Sequence, residues 1–127
     1  MRIALDTNRY TDFVRNDAAA VNIFSRAARV YIPFAVLGEL RARFAGGLRS
    51  RANEAILTKV LDSPRVEVLY PDQETTHHYA ALYQQLRRQG TPIPSNDLWI
   101  SALVVQHGLV LYARDRHFDH LPQVPRI

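Results

Sequence analysis

Read for the spacing of its apolar residues, the chain alternates between short extended runs and longer helical stretches. Arg2–Leu5, with Ile3-Ala4-Leu5 as its apolar part, predicts a first strand. Over residues 11–29, Val14, Val21, Phe24 and Ala28 recur at helical spacing and predict one helical region. Residues 30–33 read as a second short strand. Residues 35–44 read as a helix stopped by Gly46-Gly47. A further helix over 51–61 presents Ile56, Leu57, Val60 and Leu61 as its apolar face, and Val66–Leu69 reads as a strand closed by Pro71-Asp72. Residues 74–88 predict a helix ending at Gly90. Thr91-Pro92-Ile93-Pro94 is then extended, because proline excludes the helical region from itself and from the residue before it. Residues 96–107 form a long apolar helix with Gly108 placed to end it, and 109–112 a last strand before a polar loop and a short final turn.

Strands alternating with helices define an α/β protein, a three-layer α/β/α arrangement around a mostly parallel central sheet. Right-handed crossovers put the C-terminal ends of all the strands on one edge, where sites form beside the topological switch point. Within 127 residues there is no repeat, linker or low-complexity tract, so a single domain over 1–127 is expected. No apolar run approaches the roughly 20 residues that span a bilayer. The N-terminus enters a strand without leader-like features, and a cytoplasmic protein without membrane attachment is the expectation. The absence of cysteine excludes disulfides, thiolate metal sites and a cysteine nucleophile.

Against this layout four acidic residues stand out. Asp6 closes the first strand, and Asp115 follows the last. Asp97 opens the long apolar helix behind Ser95-Asn96, and Glu39 lies within the apolar stretch 32–40. Each has an ordinary reading: Asp6 as a turn residue or helix cap, Asp97 as part of a helix start, Glu39 as a solvated helix position, Asp115 as a loop acid rivalled by Asp119. Carboxylates placed this way also converge in one cleft, where they raise one another's pKa. A hard divalent cation such as Mg²⁺ or Mn²⁺ removes that conflict, and points to phosphoryl-transfer chemistry. Thr7, Asn8 and Asn96 are placed to support such carboxylates from behind.

The net charge of +4 is carried by arginine, with Lys59 the only lysine. Arginine pairs bidentately with phosphate and stacks on bases, so a basic surface around an acidic cleft suits RNA. Arg41, Arg43, Arg114 and Arg116 are candidate phosphate contacts. Arg49 and Arg51 follow Glu39 closely as well, and for each a solvated face is the alternative. His117 and His120 flank the Asp115 loop and are placed to touch RNA or shuttle protons, whereas His77, His78 and His107 read as structural. Trp99 reads as core or interface.

Leu5-Asp6-Thr7-Asn8, Gly38-Glu39-Leu40, the run from Asn96-Asp97-Leu98-Trp99 to Ala102, and the closing segment from Gly108 through Asp115 to Phe118 occur in this order across essentially the whole chain. In that combination the sequence resembles the PIN-domain family of metal-dependent nucleases, and within it the VapC-type toxins of toxin–antitoxin pairs. The resemblance implies that Asp6, Glu39, Asp97 and Asp115 bind one or two Mg²⁺ or Mn²⁺ ions. It implies an endoribonuclease in which an activated water leaves a 5′-phosphate and a 3′-hydroxyl. It also implies a small DNA-binding antitoxin as inhibitor, and a homodimer. One departure is Ala113, where the family usually carries Thr or Ser two residues before the last acid. Two other readings stand beside this one. A phosphatase using an aspartyl-phosphate conflicts with Asn8 in place of a second acid; a catalytically silent PIN-like module binding RNA or a partner fits Ala113.

Overall fold

The computed structural model describes residues 1–127. In chain order the elements are β1 (Arg2–Leu5), α1 (Thr7–Val14), α2 (Ala18–Arg26), β2 (Arg29–Pro33), α3 (Phe34–Ala45), α4 (Ser50–Leu61), β3 (Val66–Leu69), α5 (Gln73–Gln89), α6 (Ser95–His107) and β4 (Val110–Tyr112), then a 3-10 turn over Arg116–His120. The four strands form one parallel sheet in the order β3-β2-β1-β4. Ile3 is in register with Val30 on one side and Val110 on the other, and all of Ile3, Ala4 and Leu5 are buried. A strand flanked on both edges and covered on both faces reads as a continuous apolar run, which is why β1 was legible.

The chain moves outward from β1 to β2 to β3, then crosses back to β4 on the other side of β1. The switch point therefore lies between β1 and β4, and the crevice opens at their C-terminal ends. The ladder continues one step past β1: the Asp6 amide donates to the Tyr112 carbonyl at 3.2 Å. Beyond β4, the amide of Leu111 donates to the Pro125 carbonyl at 2.8 Å, so the chain end packs along the sheet edge.

The expected helical region over 11–29 is corrected in two ways. Helix α1 begins at Thr7, because Asp6 caps it by accepting from the Arg9 amide at 2.9 Å. The region is then broken at Asn16, which adopts φ 62, and restarted by Asp17, whose carboxylate accepts from the Ala20 amide at 3.0 Å. Asparagine tolerates the left-handed region and aspartate is a preferred cap, so Asn16-Asp17 carries the break without glycine or proline. The two helices are pinned by Phe13 stacked on Phe24, ring centroids 3.9 Å apart. Val21 and Ala28, assigned to one apolar face, are exposed, and Ala20 and Ala27 are buried instead.

The long helix α6 matches its expected extent closely. It buries Leu98, Ile100, Ser101, Ala102, Leu103 and Val104, nearly all round, and Gly108 ends it at φ 62. Helix α5 starts on a capping box between Asp72 and Thr75 and ends at Gly90, φ 71. No helix is long and apolar enough to cross a membrane.

The apolar stripe expected on α4 is uneven: Leu57 is fully buried and Ile56 is 43% exposed. Leu57→Ala is expected to cost ~2–5 kcal/mol in urea denaturation, and Ile56→Ala under ~1 kcal/mol. Gly90 has open space where a Cβ would sit, so Gly90→Ala isolates the left-handed backbone cost, about 1 kcal/mol, and Gly90→Asn should lose less. Equal losses for the two α4 variants would mean that α4 does not dock through Leu57.

Candidate active site

Each of the four acids is fixed by a local structural role as well as by its neighbours. Asp6 leaves β1 in extended geometry and caps α1, which holds its carboxylate at the mouth of the crevice; only 6% of the residue is exposed. Asp97 sits in the first turn of α6, whose apolar sides leave it one direction to face. Glu39 projects from α3 and is gripped at both oxygens: Oε2 accepts from the Thr7 hydroxyl at 2.7 Å, and Oε1 accepts from the Asn96 side-chain amide at 3.1 Å. Asp115 follows β4 and caps the 3-10 turn, its Oδ1 accepting from the His117 amide at 2.9 Å.

The acids lie within one another's field. Burial pushes the Asp6 carboxyl up to about 6; the Arg9 backbone N–H and guanidinium oppose the rise, and the charges of Asp115 and Asp97 add to it. The Asp97 carboxyl is also raised, first by burial; hydrogen bonding and charge from His117 oppose the rise, and Asp115 and Glu39 add to it. His117 is the residue that sequence reasoning placed nearby without its role. Its Nδ1 lies 2.7 Å from Asp97 Oδ2 and 3.1 Å from Asp115 Oδ1. The ligand atoms of Asp97, Asp115 and His117 all fall within 4.8 Å of one another.

Around this centre the supporting residues divide. Thr7, itself buried, and Asn96 hold Glu39, whereas the hydrogen bonds that fix the acids do not involve Asn8. Ala113 is buried at the end of β4 and offers no hydroxyl; the backbone of the turn orients Asp115 instead. Asp119, the rival acid, pairs with Arg126 at 2.6 Å. Arg114 pairs with Asp12 at 3.3 Å, as does Arg9, whose guanidinium lies over the Tyr112 ring at 4.5 Å. That Arg9–Asp12–Arg114 group was not visible in the sequence, since it joins the start of the chain to its last quarter. Arg41 pairs with Glu54 at 2.9 Å, and Arg43 and Arg116 are exposed without an ion pair. Trp99 packs against Tyr79 in a tilted pair with centroids 4.3 Å apart and meets Phe34 edge-on, which ties α6 to α5 and α3.

The donor set fits a hard divalent cation: Asp6 and Asp97 are desolvated, each within the field of two of the other acids, and the Asp97 and Asp115 donor atoms lie within 4.8 Å of one another. Fold and cleft together define a class, an α/β domain that gathers carboxylates at the switch point of a parallel sheet. The chain belongs to the PIN-domain family, whose sequence model matches residues 3–124. Ribonuclease VapC4 of Mycobacterium tuberculosis is 32% identical over 91 residues, 69% of this chain and 68% of that protein. Ribonuclease VapC1 of Haemophilus influenzae is 31% identical over 112 residues, 84% of this chain and 81% of that protein. Among solved structures, VapBC-1 from nontypeable Haemophilus influenzae aligns with TM-score 0.88 at 25% identity, over 100% of this chain and 97% of that one. VapBC2 from Rickettsia felis, bound to a DNA fragment from its promoter, aligns with TM-score 0.90 over 100% of this chain and 98% of that one. At 22% identity it speaks for the fold alone.

The shifted Asp6 carboxyl makes stability depend on pH. It titrates near 6 when folded and near 3.8 when unfolded, so between those values the folded state holds a proton that the unfolded state lacks. Its contribution is present in full below the lower value and is lost as pH rises through the higher one. In chelator the protein should therefore be less stable at pH 8 than at pH 5, with Asp6 supplying at most ~3 kcal/mol. Asp6→Asn keeps a capping acceptor and should flatten that slope. Denaturation across this pH range checks it, and an unchanged slope in the variant would refute the shift.

Proposed function

We propose that this protein is a metal-dependent endoribonuclease, the toxin of a type II toxin–antitoxin module, that hydrolyses RNA phosphodiesters with an activated water. The observation that supports the reading is the approach of the Asp97, Asp115 and His117 donor atoms to within 4.8 Å of one another, with Asp6 and Glu39 close enough for their charges to act on the same acids. The ribonuclease names of its relatives and the VapBC complexes of similar fold support the reaction class and the partner. Asp6, Asp97 and Asp115, with Glu39, would hold one or two Mg²⁺ or Mn²⁺ ions, which when bound lower the pKa of a water and offset charge on the phosphate.

The chain's own residues supply the rest. Thr7 and Asn96 hold Glu39 by its two oxygens and leave it no freedom to swing away. Arg43 and Arg116 are free to meet phosphate. Arg41 sits in an exposed ion pair, worth under ~1 kcal/mol, that a phosphate can displace, and Arg114 shares the largely buried Asp12 with Arg9. The positive surface draws in a polyanion, and the acidic centre receives the scissile bond. No protein nucleophile is required; water attacks the phosphorus, the bond to the 3′ oxygen breaks, and the products are a 5′-phosphate and a 3′-hydroxyl. The partner is a small DNA-binding antitoxin that covers the cleft, the chain forms a homodimer, and both act in the cytoplasm.

Incubation with total RNA, in Mg²⁺, Mn²⁺ or chelator, tests the reading. Cleavage should require metal and fall on the order of a hundredfold or more in Asp6→Asn and in Asp97→Asn. A 2′,3′-cyclic phosphate product would transfer the chemistry to attack by the ribose hydroxyl. No cleavage in any metal, from folded protein free of antitoxin, would favour a catalytically silent PIN-like module, the reading that the missing hydroxyl at Ala113 supports.

A further inference from the structure

The imidazole of His117 lies between two of the four acids. Asp115 caps the 3-10 turn, and Phe118, 1% exposed, anchors that turn in the core. His117 lies between them, so its backbone is held from both sides. Its Nδ1 reaches one carboxylate oxygen from α6 and one from the loop after β4, at 2.7 and 3.1 Å. Three donor atoms, two oxygens and a nitrogen, thus share a space no wider than 4.8 Å, the span of a single coordination sphere.

A nitrogen donor changes what such a centre selects. Mg²⁺ keeps water and carboxylate oxygens and dehydrates reluctantly. Imidazole favours first-row transition ions, whose affinities for a mixed N/O site rise from Mn²⁺ through Co²⁺ to Ni²⁺. We propose that His117 is a nitrogen ligand of this metal centre and makes it select manganese and the later first-row ions over magnesium. The inference rests on the metal-binding reading above and adds to it a named ligand and a direction of selectivity. An acid-only centre already favours Mn²⁺ over the reluctantly dehydrated Mg²⁺, and the imidazole adds to that preference.

The test uses the full chain with Mn²⁺ or Mg²⁺ alone and no RNA. Binding constants are measured calorimetrically for wild type, His117→Asn, His117→Gln and Asp97→Asn. Electron spin-echo modulation of bound Mn²⁺ reports directly whether a nitrogen nucleus is coordinated. Thermal denaturation in chelator confirms that each variant is folded; two substitutions at His117 guard against one that is not. The expected result is nitrogen modulation in wild type that disappears in both His117 variants, together with a Mn²⁺/Mg²⁺ affinity ratio that falls roughly tenfold or more. Mn²⁺ that binds, requires Asp97 and carries no nitrogen modulation, with an unchanged ratio in the variants, would overturn the assignment of His117 while leaving the carboxylate centre standing. No Mn²⁺ binding by wild type would overturn both.

Discussion

Repulsion among carboxylates that cannot move apart is the constraint on which this molecule turns. A surface acid escapes a like charge by rotating into solvent, and here each acid has a structural duty that prevents it. Asp6 caps α1 while its own amide extends the sheet ladder to Tyr112. Glu39 is held at both oxygens by Thr7 and Asn96, Asp97 is carried by a helix buried on nearly all sides, and Asp115 caps the final turn. The conflict is thus built into the fold; Arg9 and His117 offset part of it, and a proton or a bound cation would relieve the rest. Burial is the first cause of the raised Asp6 and Asp97 carboxyls, and the charges of the neighbouring acids add to it.

The sheet order explains why the acids meet at all. With β1 between β2 and β4, the two ends of the sequence become neighbours at the switch point. Residues as distant as Asp6 and Asp115 then face one crevice, and α3 and α6 deliver Glu39 and Asp97 to it. The same folding-back joins Arg9 and Arg114 through Asp12, which lines the approach with arginine, and the Arg9 charge also acts on Asp6.

Most of this layout was legible from sequence because its strongest elements carry unambiguous signals. The strand β1 is a short run buried on both sides, α6 is apolar with a glycine stop, and α5 is bounded by Asp72 and Gly90. The division of α1 from α2 was not read, because periodicity runs across it and the break rests on one left-handed asparagine; Asn16 followed by Asp17 and an alanine run was the available signal. Strand ends and a helix start located Asp6, Asp115 and Asp97, and Glu39 stood out as a charge within an apolar stretch. The bridging place of His117 depends on the pitch of a 3-10 turn and on where Phe118 anchors, which no linear pattern encodes. The pairings of Arg41 and Arg114 were equally hidden, because long side chains choose partners through tertiary contact.

The central claim is that a divalent cation relieves the carboxylate conflict, and the most direct measurement is thermal stability against metal concentration at pH 8 and pH 5. Binding to the folded state alone should raise stability continuously with Mn²⁺ or Mg²⁺, by about 2.7 kcal/mol at one hundred times the dissociation constant. The gain should shrink at pH 5, where a proton already occupies the Asp6 carboxyl, and be lost largely in Asp97→Asn. A melting temperature indifferent to either metal at pH 8, or a rise of equal size in that variant, would contradict the account.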